Sequence, residues 1–399
     1  MKDTFDRDVV IIGGAGHVGL PLALAFADRG LTVTVYDVSE HAVALVNGGT
    51  LPFQEDGAQP VLDRVLAAGR LAATTDPASV SHAEHVVVVI GTPVDEHLNP
   101  DPVAIPRALA ACAPYFRDGQ LLVLRSTVFP GVTNLVSTMI ERLAVKVEVA
   151  FCPERIAEGK AMTELFTLPQ IVSAADESGQ KRAGELFSHL TSRLVHLSPE
   201  EAELAKLFTN TWRYVKFATA NQLYMMANDR GLDFERIRLA LSEDYPRAAD
   251  MPGAGFAAGP CLLKDTMQLA AFNNNNFTLG HAAMQVNEGL PLYIVDRLER
   301  QYPLGDWTVG ILGMAFKAQS DDIRSSLAYK LKRILTFKSR EVLTTDPYVT
   351  VDPHLRPLDE VLAKADLLII AAPHADYRGL ETDKPVADVW NLLGGGVLI

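Results

Sequence analysis

The sequence predicts an α/β fold: two Rossmann-like, doubly wound units at the two ends of the chain, joined by a long central helix. Short β-branched runs alternate with helical stretches from residue 8 to 173 and again from 307 to 371, the pattern of parallel sheets. A glycine-rich turn, Gly14-Ala15-Gly16-His17-Val18-Gly19, follows the first run at once. Between the two units, Ser198-Pro199-Glu200-Glu201 reads as a capping box with proline at the first helical position. No helix breaker follows until Gly231, which gives about 30 helical residues.

Composition sets the outer limits. A chain of 399 residues has room for two or three domains, and 48% hydrophobic with 21% charged residues is ordinary globular composition. The net charge of −13 argues against nucleic acid or an anionic membrane as partner. An anionic substrate would therefore need its own local cations. Three widely spaced cysteines, Cys112, Cys152 and Cys261, make no disulfide framework and point to a reducing compartment. The first eight residues carry no apolar signal core, and runs such as Val86–Ile90 and Leu367–Ala372 are too short to span a bilayer. A cytoplasmic, soluble protein is expected.

In chain order, residues 8–13 predict a buried strand and Leu20–Asp28 a helix. A second strand, Thr32–Tyr36, ends in Asp37. Strand, G-x-G-x-x-G, helix, strand and acid in that order form the dinucleotide fingerprint in its required context. Gly14, Gly16, His17, Val18 and Gly19 would cradle the pyrophosphate at the helix N-terminus, and Asp37 would accept from the ribose hydroxyls. Val38 and Ser39 follow Asp37 where NADP would call for an arginine, so NAD is the expected cofactor. Further strands are expected at 85–90, 121–125, 147–151 and 170–173. Three of them end in polar tips: Gly91-Thr92-Pro93, Arg125-Ser126-Thr127, and Cys152-Pro153-Glu154-Arg155 running on to Glu158-Gly159. Each alone is ordinary loop chemistry, but three on one edge of a nucleotide-type sheet suggest a site.

On the long helix, Lys206, Asn210, Arg213, Phe217 and Asn221 fall near one face, in a segment apolar nearly all round. A lysine and an asparagine one turn apart there call for a bound ligand. The stretch Gly255-Phe256-Ala257-Ala258-Gly259-Pro260-Cys261 then leads into a helical segment, Asp265–Phe272. Cys261 is expected at a helix N-terminus, where the dipole and Lys264 favour thiolate. A small buried hydrophobe is the other reading of a free cysteine. A helix over Thr278–Tyr302 precedes the second unit, with strands at 307–313, 341–345 and 366–371 and a helix at 325–338. Its first turn, Gly313-Met314-Ala315-Phe316-Lys317, offers a lysine in place of the glycine fingerprint and suits a different phosphate ligand.

With these residues in place, nearly the whole chain resembles the UDP-glucose/GDP-mannose dehydrogenase family, enzymes that oxidise nucleotide sugars to uronates. The resemblance rests on the fingerprint, Gly91-Thr92-Pro93, Ser126-Thr127-Val128, Pro153-Glu154 with Glu158-Gly159, Lys206 with Asn210, Cys261/Lys264/Asp265, and Phe316-Lys317 with Asp321-Asp322-x-Arg324. It implies an NAD domain over 1–197, a central helical dimerisation domain over 198–303 and a UDP-sugar domain over 304–399. It further implies a homodimer and no metal. By resemblance the catalytic set is Cys261, Lys206, Asn210, Asp265, Thr127 and Glu158. NAD would also touch Thr92, Thr127, Glu158, Lys264 and Arg324. The sugar nucleotide would touch Glu154, Arg155, Lys206, Asn210, Gly255, Phe256, Phe316 and Lys317, with Arg247 reaching across the dimer.

The reaction so implied takes four electrons from the sugar C6, through a thiohemiacetal and a thioester on Cys261. Pro153-Glu154-Arg155 and Tyr245-Pro246-Arg247 resemble the branch acting on UDP-N-acetylhexosamines, with UDP-N-acetylmannosamine ahead of UDP-N-acetylglucosamine and UDP-glucose. The cysteine loop is one residue longer than the family's glycine-glycine-x-cysteine, and Asn221-Gln222 replaces its usual asparagine-glutamate. A two-electron hydroxyacid dehydrogenase would need neither Cys261 nor residues 307–399. A non-catalytic nucleotide-sugar sensor would be expected to have lost Cys261 or Lys206.

Overall fold

The computed structural model describes residues 5–399, which form two compact units, one ending at Phe208 and the other beginning at Thr209. In the first unit lie β1 (Arg7–Ile12), β2 (Val33–Tyr36), β3 (Leu71–Thr74), β4 (Ala83–Val88), β5 (Leu121–Leu124), β6 (Glu148–Phe151), β7 (Gln170–Ala174) and β8 (Leu194–His196). They make one sheet in the order β3-β2-β1-β4-β5-β6-β7-β8. All neighbours run parallel except β6 and β7. Along β1, Val9 and Ile11 enter one core while Val10 and Ile12 enter another. Helices cover both faces, which is why β1 reads as an unbroken apolar run.

The strand order reverses between β1 and β4, and the register places Ile12 between Tyr36 and Val88. The glycine turn therefore emerges beside Asp37 and beside the tip of β4, at the switch point where such sheets bind ligands. Strands β3 and β8 were not among the expected ones. Both are edge strands: β3 is alanine-rich, and β8 has three residues, two of them exposed. Pairing with one inner neighbour, more than local propensity, makes them strands. The expected strand at 85–90 lies instead at 83–88, because Ile90 N–H turns to the Ser126 hydroxyl at 2.8 Å.

The long helix spans Pro199–Asn228, with Ser198 and Glu201 bonding reciprocally at its start. Asn210, Tyr214, Asn221, Tyr224 and Asn228 are buried along it. Arg213 is exposed, a departure from the expected face; its long side chain at the stripe's margin reaches water. Nor is the helix buried all round, since Trp212 is 61% exposed. In the second unit, β9 (Thr308–Leu312), β10 (Glu341–Thr345), β11 (Leu367–Ile370) and β12 (Val386–Ala387) form a parallel sheet in the order β10-β9-β11-β12. Leu367 and Ile369 face one core, Leu368 and Ile370 another. The two-residue β12 escaped sequence reading. Among the described residues no helix is long and apolar enough to cross a membrane.

Candidate active site

In the first unit the glycines of the fingerprint divide their work. A Cβ on Gly14 or Gly19 would lie 2.7 Å from a backbone carbonyl oxygen, whereas one on Gly16 would meet nothing nearer than 3.9 Å. The outer two close the turn, and the middle one leaves the backbone open to a ligand, which is the fit a dinucleotide diphosphate needs. Val18 caps the helix Gly19–Asp28, and the His17 ring stacks on Phe53 at 4.2 Å. Asp37 accepts from Ala15 N–H and Ser39 N–H, both at 3.0 Å, so it shapes the turn. On the other side of β1, the Thr92 hydroxyl donates to the Thr127 carbonyl at 2.6 Å and ties the tips of β4 and β5.

The tip of β6 is held by buried charge. Arg125, whose side chain is fully buried, donates through Nε (2.9 Å) and Nη2 to Glu154 Oε2, and further to the Cys152 carbonyl and Gln170. Its guanidinium lies 4.6 Å over the Phe187 ring. Glu154 Oε1 accepts from Arg155 N–H and Ile156 N–H at 2.6 and 2.9 Å. Both Glu154 oxygens are thus engaged within the fold. Glu164 accepts from Ala157 N–H, and Glu55 accepts from Gly159 and Ala161 N–H. Three carboxylates therefore fix the backbone on either side of Glu158, which is itself half-buried. Arg155 is half-buried and bonds the Pro169 carbonyl.

In the second unit Cys261 is exposed and caps the helix Leu262–Phe272. The other two thiols are inert by burial, which pushes Cys112 up to about 11 and Cys152 up to about 12. One turn below Cys261, the fully buried Asp265 accepts from the Asn210 amide at 2.5 Å and pairs with the Lys264 ammonium at 2.6 Å. Lys206 sits one helical turn before Asn210, 8% exposed, and among the described residues no hydrogen bond or ion pair engages its side chain.

The loop leading to Cys261 is fixed at two points. Asn221 donates to the Gly255 carbonyl and accepts from Gly255 N–H, both at 3.0 Å, and its amide also reaches Asn287 at 3.0 Å. Phe256 packs edge-on against Trp390. Further along, Gly259 has φ +103°, and a Cβ there would lie 2.6 Å from the Phe316 ring. The exchange at Gln222 falls on an exposed position. Lys317 Nζ lies 5.6 Å over the Phe316 ring, and Arg324 is forked onto Asp322 at 2.6 Å. Arg247 stands apart: it is exposed, its guanidinium 5.1 Å over the Tyr245 ring, and among the described residues it makes no hydrogen bond to the other expected site residues.

Sequence reading passed over the residues that hold these groups: Glu55, Glu164, Asn287, and Arg125 as a buried charge partner. Glu55, Asn287 and Arg125 carry no local signal, since each acts on a segment distant in the chain, and Glu164 reaches back seven residues to Ala157.

Residues 7–191 match the NAD binding domain of the UDP-glucose/GDP-mannose dehydrogenase family, residues 200–289 its central domain and residues 310–394 its UDP binding domain. A UDP-N-acetyl-D-mannosamine dehydrogenase of Pyrococcus horikoshii is 30% identical over 386 residues, covering 93% of this chain and 90% of the relative. One from Escherichia coli is 28% identical over 402 residues, covering 93% and 94%. Among solved structures, the Pyrococcus horikoshii UDP-D-ManNAc dehydrogenase superposes with a TM-score of 0.89 at 27% identity, covering 97% of this chain and 96% of that one. A UDP-glucose dehydrogenase of Pyrobaculum islandicum gives 0.90 at 28% identity, covering 98% and 96%. With all three of its parts matched in order, the chain belongs to the UDP-glucose/GDP-mannose dehydrogenase family, as a UDP-sugar dehydrogenase whose cofactor is NAD.

Proposed function

We propose that this chain oxidises the C6 hydroxymethyl group of a UDP-N-acetylhexosamine, UDP-N-acetylmannosamine first, to the uronate in two successive two-electron steps. The observation that carries the reading is an exposed thiol at the head of a helix, one turn above the buried Asn210–Asp265–Lys264 set. The glycine turn and Asp37 would hold NAD, which accepts the hydride in each oxidation. In the first unit, Thr92, Thr127 and Glu158 would line the cofactor. In the second, Lys264 and Arg324 would do so. Phe256, Phe316 and Lys317 would hold the sugar nucleotide, with Gly255, Arg155 and Glu154 shaping its surroundings.

The chain's own groups account for the rest of the chemistry. A base removes the C6 hydroxyl proton as the alcohol becomes an aldehyde. The Cys261 thiolate then adds to the aldehyde carbon, giving a thiohemiacetal whose alkoxide Lys206 and Asn210 stabilise. Loss of the second hydride leaves a thioester. Water attacks it, assisted by Asp265, Thr127 or Glu158, and releases the carboxylate and the thiol.

The names of the Pyrococcus and Escherichia relatives support the N-acetylmannosamine substrate. UDP-glucose stays as the second reading, since the Pyrobaculum UDP-glucose dehydrogenase superposes as well. A homodimer is supported by the helix Phe234–Ser242, on which only Phe234 is buried while Ile237, Leu239 and Leu241 face outward. Arg247 follows that helix and would act on the partner's substrate. Three cysteines without a disulfide among the described residues support a cytoplasmic setting.

The test is a panel of UDP-sugars with NAD⁺, counting NADH formed per sugar consumed. Two per sugar, with UDP-N-acetylmannosamine the best substrate, is the expected result. Cys261→Ser should keep binding both ligands and lose uronate turnover by orders of magnitude. One NADH per sugar, or near-normal turnover in that variant, would end the thioester reading.

A further inference from the structure

The strand order β10-β9-β11 of the second unit repeats β2-β1-β4 of the first, with a different outcome at one position. Asp37 follows β2 beside β1, and Asp346 follows β10 beside β9. Asp37 has two backbone donors and is half-buried. The Asp346 side chain is fully buried and saturated. Its Oδ2 accepts from Met314 N–H at 2.6 Å, Ala315 N–H at 2.9 Å and His374 Nε2 at 3.1 Å. Its Oδ1 accepts from Tyr348 N–H and Val349 N–H. No oxygen is left for a ribose. Burial would raise its pKa, but His374 and the backbone N–H groups outweigh that and hold it at about 2.

His374 completes the arrangement. Its side chain is fully buried, with the Tyr348 ring at 5.0 Å and the Tyr377 ring edge-on at 5.7 Å. Nε2–H donates to Asp346, so the Nδ1 lone pair is the acceptor for Gln319 N–H at 3.1 Å. Gln319 has φ +51°, a left-handed conformation unusual for this residue type. It is kept there from three directions: His374 on its N–H, the Tyr348 hydroxyl on its Nε2 (2.6 Å) and Ala375 N–H on its Oε1 (2.7 Å). One carboxylate thus grips the start of the turn 313–319, and one imidazole joins that carboxylate to the turn's end. Phe316 and Lys317 lie between the two grips, and the Phe316 ring abuts Gly259 in the cysteine loop.

We propose that Asp346 and His374 are positioning residues for the sugar nucleotide, bridging the two ends of the turn 313–319 so that Phe316 and Lys317 are preformed for a uridine diphosphate. The inference rests on the reading of Lys317 as a nucleotide ligand. A turn held at both ends loses little entropy on binding, and releasing one end transfers that cost to the ligand. The groups facing His374 are Asp346, Tyr348 and Tyr377, with Asp376 one hydroxyl away through Tyr348.

The experiment uses the full chain and UDP itself as probe, with calorimetric Kd values for UDP and NAD⁺ and steady-state kinetics with the best UDP-sugar. His374→Ala is expected to weaken UDP about tenfold or more, the equivalent of one lost hydrogen bond to a buried partner. His374→Asn, which keeps an acceptor for Gln319 N–H, should recover part of the loss. Tyr348→Phe removes one exposed hydroxyl, keeps the ring on His374, and should weaken UDP by a few-fold. In all three the KM for the sugar nucleotide should rise while kcat and NAD⁺ affinity stay close to the parent. Lys317→Ala is the reference. If it loses UDP while the folded His374 and Tyr348 variants do not, the positioning inference is overturned. If Lys317→Ala binds UDP normally, the nucleotide reading of this turn falls and the inference with it. Should His374→Ala fail to fold, His374→Asn and Tyr348→Phe decide, and equal losses of UDP and NAD⁺ binding in them would mark a merely structural pair.

Discussion

Asn221→Ala should both destabilise the second unit and loosen the cysteine loop. Asn221 is 1% exposed and makes three hydrogen bonds of 3.0 Å, two to the Gly255 backbone and one to Asn287. Truncation strands Gly255 N–H, its carbonyl and the Asn287 oxygen in a buried site. At about 1 kcal/mol per bond the loss is about 3 kcal/mol, more if water cannot enter to replace the amide. All three tryptophans, Trp212, Trp307 and Trp390, lie in the second unit, so their fluorescence in urea follows that unit alone. With a slope of about 2–3 kcal/mol/M, the midpoint should fall by about 1 M. Asn221→Asp is the sharper variant. Its carboxylate still accepts from Gly255 N–H but faces the Gly255 carbonyl and Asn287 Oδ1, acceptor against acceptor. Asn287 can relieve this only by turning its amide away from the Tyr214 carbonyl, to which it now donates at 3.0 Å. The charge variant should therefore be no more stable than the truncation. Turnover should fall in both, and NAD⁺ affinity less, because the glycine turn belongs to the other unit. A midpoint shift under about 0.3 M would refute the claim that Asn221 anchors this loop.

Alkylation at pH 8 should label one cysteine per native chain, Cys261, and all three only after unfolding, because burial holds Cys112 and Cys152 far above that pH; mass-spectrometric labelling of either in the native enzyme would contradict the assignment. NADP⁺ should be used at least about 100-fold less efficiently than NAD⁺, since its 2′-phosphate would meet the Asp37 carboxylate, and equal kcat/KM values would remove Asp37 from the ribose site. Gly259→Ala places a Cβ at φ +103° against the Phe316 ring, which should cost about 1–3 kcal/mol in the urea midpoint together with most of the turnover. Arg125→Met leaves the Glu154 carboxylate buried without its guanidinium and should cost the first unit about 3–5 kcal/mol, followed by far-UV circular dichroism and NAD⁺ binding.

How legible each feature was depended on whether its cause lay along the chain. The fingerprint could be read because strand, turn, helix and acid are contiguous, and the helix Pro199–Asn228 because Ser198 and Glu201 mark its start within four residues. The inner strands could be read because burial on both faces leaves long β-branched runs. Strands β3, β8 and β12 could not, since an edge strand is made by its one neighbour. Arg213 went the other way: its spacing fits the buried stripe, but spacing says nothing of where a long side chain can reach.

The same distinction separates the residues proposed to react from those that hold them. Lys206 and Asn210 are conspicuous because a cation and an amide on an apolar helix need a reason, and Cys261 because a run of small residues and a proline sets it at a helix start. Their supports are not. Arg125 meets Glu154 29 residues on, Glu55 meets Ala161 106 residues on, and His374 meets Asp346 across 28. Each support is an ordinary polar residue at its own position, and becomes specific only through the partner the fold brings to it. Glu154 stands between the two groups. A motif singled it out, yet both its oxygens are committed to Arg125 and to the backbone N–H groups of Arg155 and Ile156. Its effect on a ligand therefore runs through the loop it holds, and replacing it disturbs that loop before it removes any contact. A residue with every polar atom satisfied inside the fold shapes a site. Lys206, buried and with its ammonium unengaged among the described residues, is the kind of residue the proposed reaction draws on.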